Sequence, residues 1–260
     1  MTRLEQAFAR AKADNRAAFI PYLTAGFPDR QRFVEIASTL LDVADALELG
    51  LPFSDPLGDG PAIQRASEAA LGQGITTPEV LALIRTLREQ SDKPLVIMTY
   101  YNPILCYPAG EAGFVADVKA AGVDGLILPD LPPDEGESLL AAARQHQLDT
   151  IFLVAPTSTE ARLRLVTAAC RGFVYAVSVT GVTGVRQRLP SEVSELVRRT
   201  KAVTELPVAV GFGIADAATA RPVAEVADGV VVGSALIDAL ATGGDVLALA
   251  RAIAEGCRRS

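Results

Sequence analysis

The chain has 260 residues, 50% of them hydrophobic, with 24 basic against 31 acidic side chains and a formal charge of −7. That length and apolar content suffice for one large α/β core, and an acidic balance without any basic tract excludes docking on a nucleic-acid backbone. Cys106, Cys170 and Cys257 stand far apart with no CxxC spacing, so neither a disulfide framework nor a structural zinc site is predicted.

The opening segment, MTRLEQAFARAKADNR, reads as an amphipathic, charged helix without the apolar core of a signal peptide. Nowhere does the chain reach the roughly 18 uninterrupted apolar residues of a membrane span. A soluble cytoplasmic protein with no membrane association is expected. Beyond that helix, short runs rich in Val, Ile and Leu alternate with helical stripes. The predicted strands are Ala18–Thr24, Ala44–Gly50, Leu95–Tyr100, Gly125–Pro129, Thr150–Ala155, Phe173–Ser178, Val208–Gly211 and Gly229–Gly233. Phe33, Ile36, Ala37, Leu40 and Leu41 mark one helix face. Thr77 and Pro78 open another helix, Thr157 and Glu160 have capping-box spacing, and Pro133 starts a helix ending near His146. Pro190 or Ser191 begins the next, and Asp245 caps the last, which runs towards Cys257.

Eight strands alternating with helices predict an α/β fold: one (β/α)8 TIM barrel over residues 1–260 with an extra N-terminal helix. The competing open sheet usually carries a glycine fingerprint after its first strand, and TAGFP is not G-x-G-x-x-G.

Residues 45–61, DALELGLPFSDPLGDGP, are the most informative stretch for function. Glu48 lies in an apolar run, where strand alternation puts it on one face with Ala46 and Gly50, opposite Leu47 and Leu49. Asp55 and Asp59 follow on a Pro- and Gly-rich loop. A buried-type acid at a strand end, with loop carboxylates beyond it, is suited to moving protons at a bound substrate. The plainer alternative is a satisfied buried acid followed by turn-forming aspartates.

In a barrel the site lies at the C-terminal strand ends. Those ends carry Tyr22, Thr24, Glu48, Met98, Tyr100, Ile127, Pro129, Asp130, Leu153, Tyr175, Phe212, Gly213, Gly233 and Ser234. The set is mostly apolar and aromatic, as a flat hydrophobic substrate with a polar tail requires, although Met98, Ile127 and Leu153 would equally fill a barrel interior. Substrate contacts are expected at Tyr22, Met98, Ile127, Pro129, Leu153, Thr183 and Phe212. Glycines in TGVTG, GFG and GSA, with a short helix starting at Gly233, predict a phosphate cup at Gly184, Gly213, Gly233 and Ser234.

Lys12, Lys93, Lys119 and Lys201 all avoid strand C-termini, which disfavours a Schiff-base aldolase, and the single histidine, His146, ends a peripheral helix. Zinc chemistry and a serine triad are disfavoured as well, so no metal site is expected and carboxylate acid–base chemistry remains.

FIPYLTAG, DALELGLPFSDPLGDGP, MTYYNPIL, GVDGLILPDLPP, FLVAPTS, SVTGVTG, GFGI and GSA occur in that order over nearly the whole chain. Together they closely resemble the tryptophan synthase alpha subunit family. The resemblance implies a barrel that cleaves indole-3-glycerol phosphate to indole and D-glyceraldehyde 3-phosphate. It also implies a complex of two alpha and two beta subunits, with pyridoxal phosphate held only by the beta subunit and no cofactor in this chain. By the same resemblance Glu48 and Asp59 are catalytic, Tyr175 joins them, and Asp55 contacts the partner. Gly58 stands where the family more often has alanine, and Phe27 and Val43 where Asp and Gly are common. Glycine's extra freedom at 58 predicts a more mobile Asp59 loop, which could close over substrate together with SVTGVTGVRQR. A free-standing lyase, and a non-catalytic phosphate-binding barrel that activates a partner, are the alternatives; the presence of both Glu48 and Asp59 argues against the second.

Overall fold

The structure, a computed structural model, describes residues 1–177, 191–211 and 213–259. Eight parallel strands close into a barrel in chain order: β1 (Ala18–Thr24), β2 (Leu47–Gly50), β3 (Leu95–Met98), β4 (Gly125–Leu128), β5 (Asp149–Val154), β6 (Val174–Val177), β7 (Val208–Gly211) and β8 (Gly229–Val232). Around them run α1 (Arg3–Ala13), α2 (Arg30–Val43), α3 (Pro61–Gly72), α4 (Thr77–Gln90), α5 (Tyr101–Leu105), α6 (Gly110–Ala120), α7 (Glu137–Gln145), α8 (Glu160–Ala169), α9 (Ser191–Lys201), α10 (Ala217–Ala224), α11 (Ser234–Ala241) and α12 (Val246–Gly256). The predicted (β/α)8 barrel is therefore the observed fold. Among the described residues no helix is long and apolar enough to cross a membrane.

Strand alternation divides the core in two. Ala18, Ile20, Ala46, Val96, Ile127, Ile151 and Val231 point inward, while Leu47, Leu49, Leu126, Leu128 and Val210 pack outward on the helices. Helix α1 opens with a capping box between Thr2 and Glu5. It lays Leu4, Phe8 and Ala11 against the inward residues at the strand N-termini. Phe8 packs on Phe173 with ring centroids 5.4 Å apart and the planes tilted by 46°. Glycines leave the room: a Cβ at Gly229 would sit 3.0 Å from Phe8, and one at Gly125 would sit 3.3 Å from Leu4. The helix thus fills the N-terminal end of the barrel.

One polar device recurs at that end. Asp45, Asp124 and Asp228 each stand just before a strand and accept the N–H of a residue on the preceding one. Their partners are Phe19 N at 2.8 Å, Leu95 N at 3.0 Å and Val208 N at 3.0 Å. Each carboxylate also meets a cation, Arg16, Arg88 and Lys201 respectively.

Local hydrogen bonds and caps set several element boundaries away from the predicted ones. β2 starts at Leu47, not Ala44, because Asp45 is engaged with Arg16 and Phe19 while Ala44 still caps α2. β3 ends at Met98 because Tyr100 becomes the residue before α5. The predicted Thr157 cap is replaced by Thr159, whose hydroxyl accepts from Arg162 N at 3.2 Å. Pro133 opens only a 3-10 turn, Pro133–Glu135, and the helix proper begins after Gly136. His146 caps the peripheral α7. Asp245 caps α12 as expected; Pro190 lies outside the described residues.

Candidate active site

Glu48 sits in the middle of β2, in register with Tyr22 on β1 and Val96 on β3. It shares the inward face with Ala46, as alternation predicts, and is 1% exposed. Its Oε2 has no hydrogen-bond partner among the described residues. Burial, and then the charge of Asp59, push its carboxyl up to about 8. A carboxyl that keeps its proton at neutral pH is a ready acid.

Asp59 comes from the loop that joins β2 to α3. That loop is fixed from two sides: Gln64 Nε2 donates to the Asp59 carbonyl at 2.8 Å, and Gly58 N donates to the Tyr100 hydroxyl at 3.0 Å. Burial raises the Asp59 carboxyl, and a hydrogen bond from Tyr100 opposes that rise. The loop's other carboxylate, Asp55, is exposed and accepts from its neighbour Ser54 at 2.6 Å. The structure therefore separates the two aspartates: one interacts electrostatically with Glu48, the other faces solvent.

Two tyrosines flank the acids. Tyr22 is 3% exposed, and its hydroxyl lies 3.2 Å from the Thr24 hydroxyl. Tyr175 rises from β6 across the barrel. Burial comes first among the causes that push both phenols well above their ordinary range, and the charges of Glu48 and Asp59 act in the same direction. Each hydroxyl leans over a strand-end glycine: a Cβ at Gly50 would be 2.0 Å from the Tyr22 hydroxyl, and one at Gly211 would be 2.2 Å from that of Tyr175. Any other residue at either position would displace the ring.

Met98, Leu153 and Pro129 are partly exposed at the same mouth, while Ile127 is buried beneath them at 1% exposure. Gly213, with φ +71°, and Gly233 stand just past the ends of β7 and β8. Gly233 is also the N-cap of α11, so the free N–H groups of that helix face the mouth. Ser234 is exposed there, and a Cβ at Gly60 would lie 3.9 Å from its hydroxyl. The expected Thr183, Gly184 and Phe212 lie outside the described residues. Tyr100 was expected at a strand end but given no role, and Gly50 and Gly211 were not among the expected site residues. A tyrosine at a strand end was a visible signal, but the roles of the glycines depend on strand register. Among the described residues no group of three or more His, Cys, Asp or Glu could hold a metal ion.

A closed barrel whose C-terminal mouth holds a protonated buried acid, a second carboxyl beside it and an adjoining helix N-terminus defines an acid–base enzyme of the (β/α)8 class. The model of the tryptophan synthase alpha chain family matches residues 8–255. The tryptophan synthase alpha chain of Deinococcus radiodurans is 57% identical over 99% of this chain and 95% of its own length. That of a Picosynechococcus strain is 47% identical over 99% and 97%. A tryptophan synthase structure from Mycobacterium tuberculosis superposes with a TM-score of 0.92 at 46% identity, covering 100% of this chain and 99% of its own. The chain belongs to the tryptophan synthase alpha chain family.

Proposed function

We propose that this chain cleaves indole-3-glycerol phosphate to indole and D-glyceraldehyde 3-phosphate as the alpha subunit of a cytoplasmic tryptophan synthase. The observation that carries the reading is Glu48: buried, raised to about 8 and with a free Oε2 among the described residues, beside Asp59. The bond to be broken joins indole C3 to the first chain carbon. Glu48 gives its proton to C3, which turns the ring into an indolenine with positive charge on nitrogen. Asp59 accepts the ring N–H and stabilises that charge. Glu48, now a carboxylate, takes the proton from the hydroxyl on that same first chain carbon. That carbon becomes the aldehyde, and the bonding pair returns to the ring and restores indole. One proton is delivered and one recovered, so no external acid or base is consumed.

Tyr175 and Tyr22 line the pocket as neutral phenols, with Met98, Pro129 and Leu153 as walls and Ile127 as floor. Gly213, Gly233 and Ser234 supply neutral donors for the phosphate at the α11 N-terminus, joined by Gly184; Thr183 and Phe212 complete the pocket. The partner is a beta subunit, two of each chain forming the complex, and pyridoxal phosphate belongs to that subunit alone. Asp55 contacts it. Leu57 and Leu105, 85% and 55% exposed on the two segments that Tyr100 ties together, support an interface at this mouth.

The test mixes the chain with indole-3-glycerol phosphate, with and without a beta subunit, and follows indole. Release that the beta subunit accelerates is expected, and Asp55→Ala should weaken that response more than the basal rate. A chain that forms no indole under either condition overturns the reading; one that works but ignores the beta subunit is a free-standing lyase.

A further inference from the structure

Tyr100 is 3% exposed and stands immediately before α5. Its surroundings hold it from three directions. The ring packs on Phe53, at the start of the Asp59 loop, with centroids 5.4 Å apart. The following N–H, that of Tyr101, donates to both carboxylate oxygens of Asp130 at 2.9 and 3.1 Å, which anchors the start of α5 to the end of β4. The hydroxyl accepts the Gly58 N–H at 3.0 Å, on the residue just before Asp59, and acts to lower the Asp59 carboxyl. One O–H group thus addresses both the loop backbone and the carboxyl on the next residue.

We infer that Tyr100 is a positioning residue for the lyase reaction: its phenol fixes the Gly58–Asp59 backbone and aims the Asp59 carboxylate at the place of the substrate's ring nitrogen. The inference rests on the proposed function. Packing alone needs only the ring, which already meets Phe53. Gly58 is exposed, so its N–H could equally be satisfied by water, and stability gives little reason for a buried phenol oxygen here.

The groups that face Asp59 are Tyr22 from β1, Glu48 from β2, Tyr100 from the end of β3 and Tyr175 from β6, with Asp130 behind Tyr100. Among the causes acting on the Asp59 carboxyl, burial raises it and the Tyr100 hydrogen bond lowers it. Asp59 must be ionised to accept the ring N–H. Removing the hydroxyl therefore moves the acidic limb of the rate profile to higher pH.

The experiment compares wild type with Tyr100→Phe in indole release from indole-3-glycerol phosphate across pH, in the complex with a beta subunit. Expected are a fall in kcat of roughly 10- to 100-fold, as for loss of a hydrogen bond to a charged group, and a KM within about twofold. The acidic limb should move upward. Replacing Tyr100 by 3-fluorotyrosine, a stronger donor of nearly the same shape, should move that limb the opposite way. It also covers the case in which Tyr100→Phe folds poorly. In Tyr100→Phe/Asp59→Asn the losses should not multiply, because both act on one interaction. Wild-type kcat and limbs in both Tyr100 variants, or multiplying losses, would overturn the inference while leaving the lyase reading intact. A wild-type chain that makes no indole would sink both.

Discussion

Asp124 and Glu48 are both buried acids, and their neighbours give them opposite characters. Asp124 is met by Arg3 and Arg88, so its charge is compensated. Glu48 forms no ion pair among the described residues, and burial favours its neutral form. Its carboxyl is raised from 4.5 to about 8, so the folded state binds that proton more tightly than the unfolded chain does. The associated stability is full below the ordinary carboxyl range and is lost as pH rises from 4.5 through about 8. Glu48→Gln has nothing to ionise. Thermal unfolding should therefore show the variant gaining on wild type over that window, by at most on the order of a few kcal/mol. Its indole production should fall at least about 100-fold, with affinity for glycerol phosphate nearly unchanged. Near-normal turnover would remove Glu48 from the acid–base role, and a constant stability gap across pH would show that the carboxyl is not raised. Gly58 carries no such demand. A Cβ there would meet only the Tyr100 hydroxyl, at 3.7 Å, so the alanine usual in the family would fit.

At the scale of elements, helix starts are decided by single hydrogen bonds. Thr159→Ala should cost about 0.5–2 kcal/mol by removing the acceptor for Arg162 N. Thr157→Ala should cost a few tenths at most, like other surface changes. Urea denaturation of the two variants checks this, and equal losses would contradict the assigned cap. Both threonines offer plausible cap spacing in the sequence; only the turn of the chain before α8 chooses between them. The same limit applies to β2 and β3. Their cores were legible because a sheet covered on both faces demands continuous aliphatic runs. Their ends were not, since Asp45 reaches back to Phe19 and Asp130 holds Tyr101, contacts that exist only once the strands are in register. Glu48 was legible for a local reason, an acid on an inward strand position. Gly50 and Gly211 matter through tyrosines 28 and 36 residues earlier in the chain, at 22 and 175, whose reach over the neighbouring strand no local pattern encodes.

Over the whole molecule, the two ends of the barrel are built for different tasks. The strand C-termini carry the acids, the tyrosines and the glycine-lined helix start; the N-termini carry the aspartate caps and α1. Leu4 is fully buried at that lower end. Leu4→Ala should therefore destabilise the fold by about 2–5 kcal/mol and leave KM for indole-3-glycerol phosphate unchanged, as measured by denaturant unfolding and steady-state kinetics. A loss below about 1 kcal/mol would mean that α1 does not hold the base of the barrel together. Its seat there also governs traffic. A vessel stoppered at its foot opens at its mouth; on the proposed function, indole formed above Glu48 leaves there, where among the described residues the Asp59 loop and α5 form part of the rim. Whatever rests on that rim decides whether this small uncharged molecule escapes into water or is handed on.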